Sequence, residues 1–222
     1  MVKFRETLKS WKEYSKMSDL GIIARRKFFN NCFDGALTCA GIVSGIFIIF
    51  LSKNATQFTP QTVTVTGFAT ALAIGISGLW GAFLSEEAER KKKVDDMKKD
   101  MAMIEEKEDE NSDILEHDLK NNMKNKKDKT LLEKAEDFAT IVASLVDGGA
   151  PVLGSSLPLI PFFFGVKLSL IHFIFSYIVL AILLIYLGNF LGKISGGGRV
   201  RYAIHLVTAG IVTLLISILL GI

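Results

Sequence analysis

Apolar residues along this chain come in long unbroken runs, not in the short alternations of a soluble domain. Five stretches, roughly residues 28–51, 63–84, 138–164, 168–191 and 202–220, are nearly free of charge. A helix needs about 18–20 consecutive apolar residues to cross ~30 Å of hydrocarbon. The pattern therefore predicts an all-α polytopic membrane protein with five transmembrane helices. The stretch 138–164 is the least regular, because it carries Asp147, Gly148, Gly149 and three prolines. Split at Pro151, it would leave a piece too short to span, so one broken span is expected.

Charge fills the gaps between these runs, concentrated in residues 1–27 and 86–137. Four regions follow: a leader (1–27), spans one and two (28–85), a charged insertion (86–137), and spans three to five (138–222). In the leader, Phe4, Leu8 and Trp11 fall near one side of a helix ringed by lysines, which predicts an amphipathic segment on the membrane surface. No cleavable signal peptide is expected, since more than twenty charged-rich residues precede any apolar run. The insertion holds 18 acidic and 13 basic residues, a net charge of −5. It has no Gly or Pro, so helices are expected to continue out of span two and into span three.

Orientation follows from the basic residues of the loops. The leader has eight Lys or Arg, the insertion many, and the loop after span four has Lys193, Arg199 and Arg201. The other two loops have one each, Lys53 and Lys167. The N-terminus and the acidic insertion are thus predicted to be cytoplasmic, with the C-terminus on the opposite side.

Of 23 acidic residues, only Asp34 and Asp147 fall inside predicted spans. A carboxylate in hydrocarbon costs at least about 2.5–3.5 kcal/mol, so it normally faces a cavity or an ion path. The predicted spans hold no Lys or Arg to neutralise this pair, which points to bound cations or protons. Plainer readings exist. Asp34 lies a turn or two past Arg25, Arg26 and Lys27 and could pair at the interface, and Asp147 could cap a helix beginning near Pro151. At helical spacing, Asp34 shares a stripe with Thr38, Gly41 and Gly45, and Asp147 one with Ser144, Pro151, Gly154 and Pro158. Span two has its own small face, Gly67, Ala71, Gly75, Gly78, Ala82 and Ser85. Small residues let helices approach closely, and they also leave room beside a carboxylate. Asp34, Thr38, Ser144 and Asp147 are the candidate path residues, with Asp34 and Asp147 as candidate metal ligands.

Within the insertion, Glu86 and Glu89, Asp96 and Asp100, Glu105 and Glu108, and Asp113 and Glu116 are carboxylate pairs three or four residues apart, each sharing a helix face. Such pairs suit divalent cations, and Met97, Met101, Met103 and His117 stand nearby as further donors. The plain alternative is a solvated, salt-bridged helical hairpin. Cys32 and Cys39, one heptad apart in span one, read as small buried residues, and His172 and His205 as hydrogen-bonded packing residues. No nucleotide-binding loop, nucleophile–base arrangement or zinc spacing appears, so neither an enzyme, a cofactor nor a nucleic-acid partner is expected.

Basic residues leading into Asn31-Cys-Phe-Asp34-Gly35 open this pattern. It continues with Gly81-Ala-Phe-Leu-Ser85-Glu-Glu-Ala-Glu-Arg90, the acidic insertion, and Val152-Leu-Gly-Ser-Ser-Leu-Pro158-Leu-Ile-Pro161-Phe. Over nearly its whole length the chain resembles the vacuolar iron transporter family, as a divergent, prokaryote-like member. The resemblance implies a homodimer that moves Fe²⁺, Mn²⁺ or related divalent ions out of the cytosol in exchange for protons. It further implies that Asp34 lines the path near the two-fold axis and that the acidic insertion gathers metal. Family members carry a methionine and a glutamate in span two where Gly78 and Ala82 stand here, and all six methionines lie outside the predicted spans. A path without thioether suits harder ions. The expected function is a divalent-cation secondary transporter, with a Mg²⁺ or Ca²⁺ carrier of the same fold, or a membrane scaffold with an acidic docking hairpin, as alternatives.

Overall fold

The computed structural model describes residues 11, 20–52, 58–108 and 131–220. Among the described residues five long α-helices follow one another: α1 (Leu20–Leu51), α2 (Pro60–Glu108), α3 (Leu131–Ser156), α4 (Leu170–Ser195) and α5 (Arg199–Leu220). A 3₁₀ segment, Leu157–Phe163, extends α3. Among the described residues five helices are long and apolar enough to cross a membrane, as the hydropathy pattern predicts.

Two boundaries differ from the sequence expectation, each for a local reason, and a third agrees with it. α1 begins at Leu20, eight residues before the predicted span, so Arg25, Arg26 and Lys27 belong to the same helix as Asp34. Nothing between Leu20 and Asp34 breaks a helix apart from the tolerated Gly21. α3 runs unbroken through Asp147, both glycines and Pro151. Asp147 therefore sits inside a helix and does not cap one starting at Pro151. A proline inside a membrane helix is tolerated where neighbouring groups satisfy the freed backbone. The break instead falls at Leu157, where Pro158 and Pro161, both lacking an N–H, tighten the chain into the 3₁₀ segment. Finally, α2 continues to Glu108 and α3 starts at Leu131, so helix does extend into the charged insertion from both sides.

The described chain divides into two compact units. One comprises residues 23–80 and 145–222. Its core has two clusters. Cys32, Ala36 and Ala40 of α1 pack with Ala150 of α3 and with Leu180, Leu183, Leu184 and Leu187 of α4. Cys39, Val43 and Ile46 pack with Val63, Leu159, Phe162 and Phe173. Around Phe173 stand the rings of Phe47, Phe50 and Phe162, at centroid distances of 5.0, 5.2 and 5.4 Å. Both cysteines are free and buried, as read from the sequence.

Several buried polar groups in this unit are satisfied by side-chain hydrogen bonds, while Ser156 Oγ is buried without one among the described residues. Ser176 Oγ donates to the Pro158 carbonyl at 2.6 Å, and the Tyr177 hydroxyl donates to Ser44 Oγ at 3.1 Å. Ser169 caps α4, and the Ser169 N–H donates to His172 Nδ1 at 3.2 Å. His172 Nε2 reaches the Phe164 carbonyl at 2.5 Å, which ties down the turn between the 3₁₀ segment and α4. His172 is thus a hydrogen-bonded packing residue, as expected. His205 lies exposed on α5.

The other unit comprises residues 1–22 and 81–144. Arg90 of α2 is ion-paired with Asp137 of α3, and Lys91 with Glu87 one turn earlier at 2.7 Å. Trp11 stacks on Phe138 at 5.7 Å between ring centroids. Ala135 is fully buried, and Ser144 gives its hydroxyl to the Thr140 carbonyl at 2.8 Å.

Candidate functional site

α1, α2 and α3 come unusually close, and the reason is the absence of side chains where they cross. A methyl group added at Gly148 of α3 would lie 2.6 Å from the Gly75 carbonyl oxygen and 2.6 Å from Leu79 Cβ, both on α2. One added at Gly35 of α1 would run into the backbone of Pro151, whose Cα would be 2.7 Å away. Small residues at such crossings let backbones approach to a distance no larger residue permits.

Where the three helices meet they leave a cleft of about 420 Å³. α1 contributes Asn31 and Asp34, α2 contributes Ala73, Ile74, Ser77 and Gly78, and α3 contributes Asp147 and Pro151. The side-chain donors and acceptors of this lining are amide, hydroxyl and carboxylate groups. Both carboxylates predicted to matter therefore face the same space.

They do not have the same surroundings. Asp147 is held from two sides: Lys27 Nζ lies 2.6 Å from Oδ2, and Asn31 Nδ2 donates to Oδ1 at 2.7 Å. The Lys27 and Asp147 side chains are only 21% and 13% exposed. Asp34 is exposed, and among the described residues no donor is paired with its carboxylate. The expectation that no Lys or Arg neutralises either carboxylate is thus corrected. Lys27 pairs with Asp147, because α1 begins early enough to carry Lys27 one turn before Asn31 and two before Asp34. Lys27, Asn31, Asp34 and Thr38 stand at i, i+4, i+7 and i+11 and share one helix face.

Thr38 donates its hydroxyl to the Asp34 carbonyl at 2.9 Å, a bond within α1. Ser144 spends its hydroxyl on the Thr140 carbonyl and is not among the residues lining the cleft. In the charged insertion, Glu86 is half-buried while Glu89 and Asp96 are exposed along α2. Asp100, Glu105 and Glu108 lie on the same helix. Asp113, Glu116 and His117 fall outside the described residues. Among the described residues no three His, Cys, Asp or Glu side chains converge on a metal-sized space.

Sequence reasoning did not single out Lys27, Asn31 or Ser77 as site residues. The signal for the first two was the helical spacing back from Asp34, hidden by a span boundary set at residue 28. Ser77 carried no signal beyond its place beside Gly78.

Five membrane-length helices, three of them lining a polar cleft with two carboxylates, define a polytopic α-helical integral membrane protein. A sequence profile of the VIT family matches residues 116–222. The chain is also 30% identical over 171 residues to an uncharacterized protein of Methanocaldococcus jannaschii, which covers 77% of this chain and 74% of that protein. The chain belongs to the VIT family, the vacuolar iron transporter family that its motifs resemble. Members of that family are metal-ion transporters rather than enzymes.

Proposed function

We propose that this protein is a secondary transporter that moves divalent metal cations out of the cytoplasm in exchange for protons. The observation that carries the reading is Asp34, an accessible carboxylate without a partner among the described residues, midway along an apolar helix and lining the same cleft as Asp147. An uncompensated carboxylate at such a position is costly, so a cation or a proton is its natural partner. Carboxylates take up either one, which is what exchange requires. Glu86, Glu89, Asp96 and the further carboxylates of the insertion would gather the ion on the cytoplasmic side, with basic loops setting that orientation.

In keeping with the family, two copies would form a homodimer in which their Asp34 side chains share one path. A second reading within the same fold, a Mg²⁺ or Ca²⁺ carrier, draws support from the cleft's oxygen and nitrogen donors, which suit hard ions.

The test is Mn²⁺ and Fe²⁺ flux into proteoliposomes holding a proton gradient, with wild type beside Asp34→Asn. Gradient-dependent flux that vanishes in the variant is the expected result. Flux of Mg²⁺ or Ca²⁺ alone would move the assignment to the second reading, and no flux of any of the four from folded protein would refute both.

A further inference from the structure

Lys27 has no place in the transport reading so far, yet it is the group closest to Asp147. Its ammonium nitrogen stands 2.6 Å from one carboxylate oxygen, while Asn31 takes the other at 2.7 Å. The pair is mostly withdrawn from solvent and borders the cleft into which Asp34 opens. Resting on the metal-transport reading, we infer that Lys27 is the resident cation of this site. It holds Asp147 when the cleft is empty and must give way for a divalent ion to bind both aspartates.

Charge and geometry lead to this. With Lys27 in place the three groups carry two negative charges and one positive, so a divalent ion added at Asp34 would leave an excess positive charge among apolar helices. With Lys27 withdrawn, the same ion and the two carboxylates are neutral together. Charge in a membrane interior is strongly penalised unless compensated, so metal entry and lysine departure are coupled. An ammonium on a flexible four-carbon stem can leave without moving the backbone, and Lys27 lies toward the basic end of α1, where its head can reach the interface. Asn31 stays behind and keeps the Asp147 carboxylate oriented. Lys27 thereby weakens the site's hold on metal, as a carrier that must also release its ion requires.

The inference is tested by Mn²⁺ binding, measured calorimetrically on the full-length protein in detergent. Lys27→Gln removes the competitor and should tighten Mn²⁺ binding roughly tenfold, the scale of one charge-assisted hydrogen bond. Lys27→Arg keeps the cation and should bind as wild type does. Adding Asp147→Asn to Lys27→Gln should erase the gain. Wild type gives a readout free of any folding defect in a variant. Acylation of the Lys27 amine, followed by mass spectrometry, should rise several-fold on saturation with Mn²⁺. Unchanged or weaker binding in folded Lys27→Gln, or acylation indifferent to Mn²⁺, would overturn the role of Lys27 while leaving the transport reading standing. Absence of Mn²⁺ binding in wild type and every variant would overturn both.

Discussion

Gly148 and Gly149 are neighbours on α3, and replacing each by alanine should have opposite consequences. At Gly149 an added methyl meets nothing within 4 Å. The change removes backbone freedom from the unfolded chain and should leave stability level or raise it by up to about 1 kcal/mol. At Gly148 the methyl would sit 2.6 Å from a backbone carbonyl oxygen and 2.6 Å from Leu79 Cβ, neither of which can rotate away. Ordinary contact begins near 3.4 Å, so α2 and α3 must part by roughly 0.8 Å along this direction. Such a gap forfeits a quarter to a half of each dispersion contact along the seam, and overpacking of this kind costs about 1–3 kcal/mol. Net of the gain in helix propensity, Gly148→Ala should lie about 1–3 kcal/mol below Gly149→Ala, a factor of roughly 5 to 150 in the unfolding equilibrium. Reversible unfolding in mixed detergent micelles, followed by circular dichroism, reads this difference directly. Because Asp147 precedes Gly148 and the cleft is walled by the same two helices, metal binding should weaken in parallel. Equal stability of the two variants would refute the close approach of α2 and α3, and with it the geometry of the cleft.

Other consequences are open to simpler measurements. Ser176→Ala leaves the buried Pro158 carbonyl without its 2.6 Å donor and should cost about 1–3 kcal/mol in the same unfolding assay. Cys32 and Cys39 are 3% and 1% exposed, so neither should react with maleimide in the folded protein, and both should after denaturation. Arg90→Gln breaks an ion pair whose side chains are about a quarter exposed, and should cost only about 0.2–1 kcal/mol, less at high salt. Asp34→Asn should leave the unfolding midpoint within about 0.5 kcal/mol of wild type, since nothing described pairs with its carboxylate, while abolishing metal flux.

The five helices and the helical extension into the charged insertion follow from runs of one residue class, and local composition is enough to read them. So is the placing of Asp34 and Asp147 within membrane-length helices, because a carboxylate among twenty apolar neighbours stands out without any knowledge of what faces it. Gly75 and Gly78 were visible on a small-residue face and Gly148 as an irregularity of the third span, but not as partners of one another. Which glycine needs its missing side chain and which does not, as between Gly148 and Gly149, depends on the helix lying opposite.

Membrane helices are independently stable segments, so sequence by itself determined their number, their approximate bounds and the two carboxylates they carry among apolar residues. The pairing of those charges was decided only by the tertiary structure. Lys27 and Asp147 are 120 residues apart and meet because α1 starts a turn or two earlier than its hydropathy suggests and crosses α3 where glycines allow it. Electrostatic pairing acts through space over a few ångströms, and hydropathy acts along the chain. That difference leaves Asp34 open to a cation and Asp147 already holding one.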